Sequence, residues 1–205
     1  MEIQLDLNKL KNRVFILNGM ATCGKNTFVD LISKFHNTVH YSIVDPVRDI
    51  LSDIGIDLNK KDERLRKLTS DIKLALEEYN NYPFEQVRLF LKDFEKNSKG
   101  DEIVFIDMRE EHNIQQAIKE FGAQVVFVRN DRVHTINSNV ADKNVFNTTS
   151  DYIIENNGSI KDLEKKALAF IKYIVIGCEK EECDLKCLEC GHVYDDDEGL
   201  YCNLV

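Results

Sequence analysis

Short, almost uninterrupted apolar runs alternate with longer amphipathic stretches along most of this sequence. Arg13–Asn18 (RVFILN), Val39–Val44 (VHYSIV), Ile103–Ile106 (IVFI) and Val125–Val128 (VVFV) are rich in β-branched and aromatic residues and predict strands. Tyr152–Ile154 predicts a fifth. Between them apolar positions recur at helical spacing, at Phe28, Val29, Ile32 and Phe35 and again within His112–Phe121. Residues 47 to about 97 predict helix throughout, on Leu51, Ile54, Leu65, Leu68, Ile72, Leu76, Val87, Phe90, Leu91 and Phe94. Pro83 divides two of those helices, and Asp45-Pro46 opens the first. A last helix over about 159–175 takes Ser159 as its cap. Apolar strands separated by helices predict an α/β fold, a five-stranded parallel sheet covered on both faces. The polar stretch 130–150, between the last two strands, predicts a lid or binding loop.

The chemistry concentrates where the first strand meets the first helix. Gly19-Met20-Ala21-Thr22-Cys23-Gly24-Lys25-Asn26-Thr27 has the glycine and lysine spacing of a Walker A loop, with Asn26 where Ser or Thr is usual. Glycines let the backbone curl so that successive N–H groups face a polyphosphate, and the helix behind presents its positive end. Lys25 then reaches the terminal phosphates. Asn26, through its amide oxygen, and Thr27, one residue on, are the candidate Mg²⁺ ligands. Cys23 reads as a small space-filler within the loop.

With these residues in view the chain resembles the deoxynucleoside monophosphate kinases of phages and bacteria, within the wider nucleoside monophosphate kinase group. The GKNT of Gly24–Thr27 is similar to their GKDT-type loops, and animal-type phosphomevalonate kinases have a similar loop. Val44-Asp45-Pro46-Val47-Arg48 resembles the segment that starts their substrate-side helix. Ile106-Asp107-Met108-Arg109-Glu110-Glu111 resembles their strand followed by D-x-R, and Asp151–Ser159 their D-Y-x-I-x-N-x-G. The likeness runs over about residues 13–175. It implies a P-loop NTPase fold, ATP and Mg²⁺ as cofactors, and a nucleotide acceptor.

Specific roles follow as expectations. Asp107, ending a strand, would hold Mg²⁺ or its water. Arg109 would meet the transferring or acceptor phosphate through its planar fork. Asp45, Arg48 and Arg88 fall on the acceptor side; Arg129 and Arg132 enter the lid and would close over phosphates. The lid itself is poor in cations, with Arg132, Lys143 and His134 alone between 130 and 150. His36, His40 and His112 read as surface or packing residues.

Composition changes the picture at the C-terminus. The 205 residues carry 36 acids and 27 bases, but residues 179–198 alone hold nine acids and two lysines. No basic stripe exists to neutralise phosphates along a nucleic acid, so broad nucleic-acid binding is disfavoured. Five of the six cysteines lie beyond residue 177. Cys187-Leu188-Glu189-Cys190-Gly191 resembles one knuckle of a rubredoxin-like zinc ribbon, and Cys178, Cys183 and Cys202 are the further candidate thiolates for Zn²⁺. Reduced thiols on an acidic tail, and a disulfide or intermolecular pairing, are the alternatives. The chain therefore divides into a P-loop body, residues 1–176, and a cysteine-rich tail, residues 177–205.

No apolar run is long enough to span a membrane and no secretory h-region opens the chain, which predicts a cytoplasmic protein. Small-molecule nucleotides are the expected partners; monomer and homodimer stay open. The expected activity is transfer of the γ-phosphoryl group of Mg-ATP to a nucleoside or deoxynucleoside monophosphate. Two rivals remain: a P-loop kinase for another small phosphorylated acceptor, and a nucleotide-binding sensor without turnover.

Overall fold

The computed structural model describes residues 5–6, 10, 12–60, 62–133 and 149–177, together with the strand pairing of 193–196 and 199–202. Five parallel strands form one sheet: β1 (Val14–Asn18), β2 (Thr38–Ser42), β3 (Ile103–Asp107), β4 (Gln124–Arg129) and β5 (Tyr152–Glu155), in the order β2-β3-β1-β4-β5. The helices are α1 (Lys25–Ile32), α2 (Asp45–Asp53), α3 (Glu63–Asn80), α4 (Tyr82–Asn97), α5 (Glu111–Phe121) and α6 (Ile160–Phe170), the last continuing as a π-helical turn over Ile171–Val175. This is the P-loop α/β fold the sequence predicts.

Alternation along the central strands builds two cores. Phe15 and Leu17 of β1 and Phe105 of β3 face α1 and α6, where Phe28, Ile32, Leu163 and Phe170 complete an aromatic-rich layer. Phe15 stacks on Phe105 at 5.4 Å and meets Phe170 edge-on at 5.1 Å. Val14 and Ile16, with Val104 and Ile106, face the opposite way, onto Phe84, Val87 and Leu91 of α4 and Ile114 and Phe121 of α5. At their carboxyl ends β1 and β3 carry polar residues, Asn18 and Asp107. There Leu17 lies in register with Asp107, and Ser42 of β2 flanks Asp107 on its other side.

The helical region before β3 departs from the expected continuous run. Ile54–Asp62 interrupts it: Gly55, at φ +84°, lets the chain leave α2, and the Asp62 side chain accepts the Leu65 N–H to start α3. Pro46 and Pro83 sit in the first turns of α2 and α4, as read from sequence. The Ser159 cap is a full capping box with Asp162. Among the described residues no helix is long and apolar enough to cross a membrane.

In the tail, β6 (Val193–Asp196) and β7 (Gly199–Cys202) form an antiparallel hairpin, with Cys202 opposite Val193. Cys178, Cys183, Cys187 and Cys190 lie outside the described residues, as does most of the expected lid.

Candidate active site

β1 delivers the chain into the loop through Asn18, fully buried, whose Oδ1 accepts the Gly19 N–H at 2.7 Å. Gly19 sits at φ +139°, and a Cβ there would stand 2.4 Å from the Val128 carbonyl oxygen of β4. Gly24, at φ +102°, is similarly confined: its Cβ would meet Asn156 Nδ2 at 2.2 Å. Both positions need glycine for backbone angle and for space. Asn156, just past β5, donates through Nδ2 to the Cys23 carbonyl at 2.9 Å and through its backbone N–H to the Arg129 carbonyl at 2.7 Å. One asparagine thus ties the phosphate loop to the ends of β4 and β5.

Within the loop, Met20 and Cys23 are buried, Ala21 is half-buried and Thr22 is exposed at φ +63°. Burial pushes the Cys23 thiol above its ordinary pKa, although the Lys25 and Arg109 charges pull the other way. That makes it the space-filler expected, and it also puts the Arg109 charge within electrostatic reach of the loop. Lys25 is 8% exposed; its ammonium folds back over the loop and donates to the carbonyls of Gly19 at 2.8 Å and Met20 at 3.0 Å. Asn26 is exposed and Thr27 half-buried in the first turn of α1, whose N-terminal amides face the loop.

Asp107 ends β3 one strand from the loop. Its Oδ2 lies 3.3 Å from His40 Nε2, and its Oδ1 is buried with no hydrogen-bond partner. An anionic oxygen left in that state is costly unless a cation or a donor takes it up. The residues present therefore fit Mg²⁺, a hard ion that takes carboxylate, amide and hydroxyl oxygens. His40 is exposed, the surface residue expected, and its hydrogen bond to Asp107 holds its pKa above the ordinary value against the opposing effect of burial, with Asp45 and Asp30 adding to the pull. Nothing in its local sequence marks it; β2 and β3 pair in a register that sets His40 beside Phe105, two residues before Asp107.

Asp45 caps the turn after β2 by accepting the Ser42 N–H at 2.8 Å, and pairs with Arg48 at 2.9 Å; Arg48 is 54% exposed. Tyr41 stacks on Phe90 at 4.2 Å beside them, and burial, with Asp45 and Asp49 nearby, pushes its phenol up to about 12. Arg88 lies elsewhere: it is held by Glu85 and Glu120 and lies over the Phe84 ring, bracing α4 against α5. Arg129 pairs with Asp131 at 2.6 Å, and Asp131 also accepts from Asn157 Nδ2 at 2.7 Å, so the lid root is tied to the loop after β5. The Arg132 N–H donates to Asn130 Oδ1 at 3.0 Å. A cavity of about 460 Å³ opens between the loop and this lid root, lined by Met20, Cys23, Phe127, Arg129, Val133 and Ile153.

The fold therefore gathers the loop, Asp107 and the Asp45–Arg48 pair at the carboxyl edge of the sheet, and leaves Arg88 in a helix–helix brace. The expected thiolate site is a different matter. Among the described residues no group of three or more His, Cys, Asp or Glu is arranged to hold a metal, and four of the five candidate cysteines lie outside those residues.

A family model for deoxynucleotide monophosphate kinases matches residues 82–167, from the start of α4 into α6. The phosphate loop lies outside that segment, so loop and match are separate signals, and together they support a P-loop kinase. Among solved structures, a shikimate kinase from Aquifex aeolicus is 13% identical, with a TM-score of 0.43, over 80% of this chain and 99% of its own. A dephospho-CoA kinase from Campylobacter jejuni is 16% identical, with a TM-score of 0.45, over 80% of this chain and 98% of its own. A sugar kinase from a Janibacter species is 8% identical, with a TM-score of 0.47, over 82% and 98%. Among curated proteins no sequence matches the chain.

Proposed function

We propose that this protein is an ATP-dependent phosphotransferase that moves the γ-phosphoryl group of Mg-ATP to the phosphate of a nucleoside or deoxynucleoside monophosphate. The observation that carries the reading is the loop itself. Lys25 is stored against the Gly19 and Met20 carbonyls, and one strand away Asp107 keeps a buried carboxylate oxygen with no hydrogen-bond partner. The polyphosphate of ATP would lie along residues 19–27, on the amides that open α1, with Lys25 swinging from the carbonyls to the terminal phosphates. Asp107, Thr27 and Asn26 would hold Mg²⁺, which supplies charge neutralisation between the phosphates. Arg109 and Arg132 would offset charge on the transferring group, and Arg129 would contact the nucleotide from the lid root. Asp45 and Arg48 would line the acceptor side. Arg88, already engaged by two carboxylates, would reach an acceptor only by leaving them.

One observation favours a second reading. Phosphoryl transfer depends on cations around the γ-phosphate, and the segment 130–150 supplies one Arg, one Lys and one His. Such a lid suits a different small phosphorylated acceptor as readily as a nucleotide. An acceptor panel decides between them: purified protein with Mg-ATP and each common ribo- and deoxynucleoside monophosphate, products resolved by chromatography, Lys25→Ala as control. A diphosphate from one or a few acceptors, lost in the variant, supports the first reading. ATP binding without any diphosphate rejects it. The tail carries a separate proposal, Zn²⁺ on thiolates drawn from Cys178, Cys183, Cys187, Cys190 and Cys202. Elemental analysis of protein purified without chelator tests it, and a metal-free result removes it.

A further inference from the structure

The 18-residue helix α3 has one fully buried residue, and it is a lysine. Leu68, Leu74 and Tyr79 of the same helix are exposed, so apolar packing holds it weakly against α2 and α4. Lys73 is 5% exposed at its side chain and donates to Glu77 Oε1 at 2.6 Å, one turn along, and to Glu110 Oε1 at 3.0 Å across the gap to α5. Asn113, fully buried, donates to the same Glu77 oxygen at 2.7 Å, and His112 Nε2 stands 3.9 Å from it. Burial by itself would raise the Glu110 carboxyl, yet the Lys73 charge and hydrogen bond bring it below its ordinary value. The cluster is too enclosed to receive a ligand. Its position is what matters: Glu110 follows Arg109 directly, and Arg109 follows Asp107 by two.

We propose that Lys73 is a positioning residue, a buried clamp that makes α3 and the Arg109 segment move as one piece. The inference rests on the phosphotransferase reading for what the clamp is for, and on the geometry alone for the clamp's existence. Cutting it loosens the Arg109 segment against α3. Displacing a phosphate-binding arginine by an ångström lowers transfer by about 10- to 100-fold.

The test compares Lys73→Met, Lys73→Arg and the triple variant Lys73→Met/Glu77→Gln/Glu110→Gln with the parent protein. Amide hydrogen exchange is read over residues 63–80 and 108–113, with steady-state kcat and KM for ATP and for acceptor. In Lys73→Met exchange should rise in both segments together, by about 10-fold or more, while α1 keeps its protection. Acceptor kcat/KM should fall by at least about 10-fold. Lys73→Arg, which can still bridge two carboxylates, should restore most of both. The triple variant leaves no buried charge, so it should recover its melting temperature yet keep the kinetic defect. A purely structural lysine would give recovery of both, and that result overturns the proposal. So does faster exchange confined to α3 with residues 108–113 unchanged. A parent protein that phosphorylates nothing would reject the phosphotransferase reading, and the paired exchange response would still decide the clamp.

Discussion

Lys25 and Lys73 are the two buried lysines among the described residues, at 8% and 4% exposure, and they donate to different kinds of acceptor. Lys25 donates to two main-chain carbonyls of its own loop, acceptors that carry no formal charge. Lys73 donates to two carboxylates from separate elements, which cancel its charge and more. A carbonyl-held ammonium can trade its partners for a phosphate at little cost, because anionic oxygens are better acceptors than neutral ones. A carboxylate-held one cannot leave without stranding two buried anions. The same residue type therefore serves as a movable charge on one side of the site and as a rivet on the other.

Removing each lysine should separate the two. Lys73→Met strands Glu77 and Glu110, and urea unfolding should show a loss of about 3–5 kcal/mol, the usual cost of breaking a buried pair from one side. A loss below about 1 kcal/mol, in the range of exposed pairs, would erase the distinction. Lys25→Met should do the reverse. Its unfolding midpoint should stay near that of the parent, while phosphoryl transfer falls by about 10²- to 10³-fold, the scale of losing one preorganised charge donor at a reacting centre. A Lys25→Met protein that transfers at the parent rate would remove the loop from the chemistry.

The comparison sharpens one step further out, at the backbone that stores Lys25. Gly19→Ala puts a methyl 2.4 Å from a β4 carbonyl at φ +139°, and no rotamer relieves a clash with main chain. Calorimetry should show a stability loss of about 1–3 kcal/mol, and isothermal titration should show weakened ATP binding. The matching change at Gly122, also at positive φ but with nothing within 4 Å of its Cβ, meets backbone strain alone and should leave ATP binding intact. Equal binding losses at the two glycines would mean that loop shape is not what the nucleotide reads.

How legible these features are in sequence follows from how local they are. The phosphate loop needs nine consecutive residues between an apolar strand and an amphipathic helix, so spacing alone reveals it. The central strands β1, β3 and β4 are equally legible, because a strand buried on both faces is apolar at nearly every position. The edge strands β2 and β5 are partly exposed and mix in polar residues. The Lys73 clamp is not legible. On α3 the pairs Lys67–Asp71 and Lys73–Glu77 have the same i, i+4 spacing, yet the first is 75% and 56% exposed and the second 5% and 8%. What separates them is Glu110, brought in from another element by the sheet. His40 is hidden for the same reason, its partner Asp107 lying on a neighbouring strand. The break between α2 and α3 was readable in Gly55 and Asp62, but the helical period of the residues on either side masks it.

The smallest effect lies in the acid limb of stability, and it tests the charge excess around Lys73. Glu110 has a folded-state pKa below its ordinary 4.5, so its pairing stabilises the fold fully above that value and is lost as pH falls through the lowered folded pKa. Glu110→Gln removes this dependence but leaves Lys73 paired with Glu77, so the cost near neutral pH should be only about 1 kcal/mol. Unfolding free energies of the two proteins should therefore differ most near about pH 7 and converge as the solution is acidified below 4.5. A gap that stays constant with pH would mean that Glu110 contributes shape rather than charge. Lys73 would then be held by Glu77 alone, as an ordinary helix pair that happens to be covered, and the rivet would rest on one carboxylate instead of two.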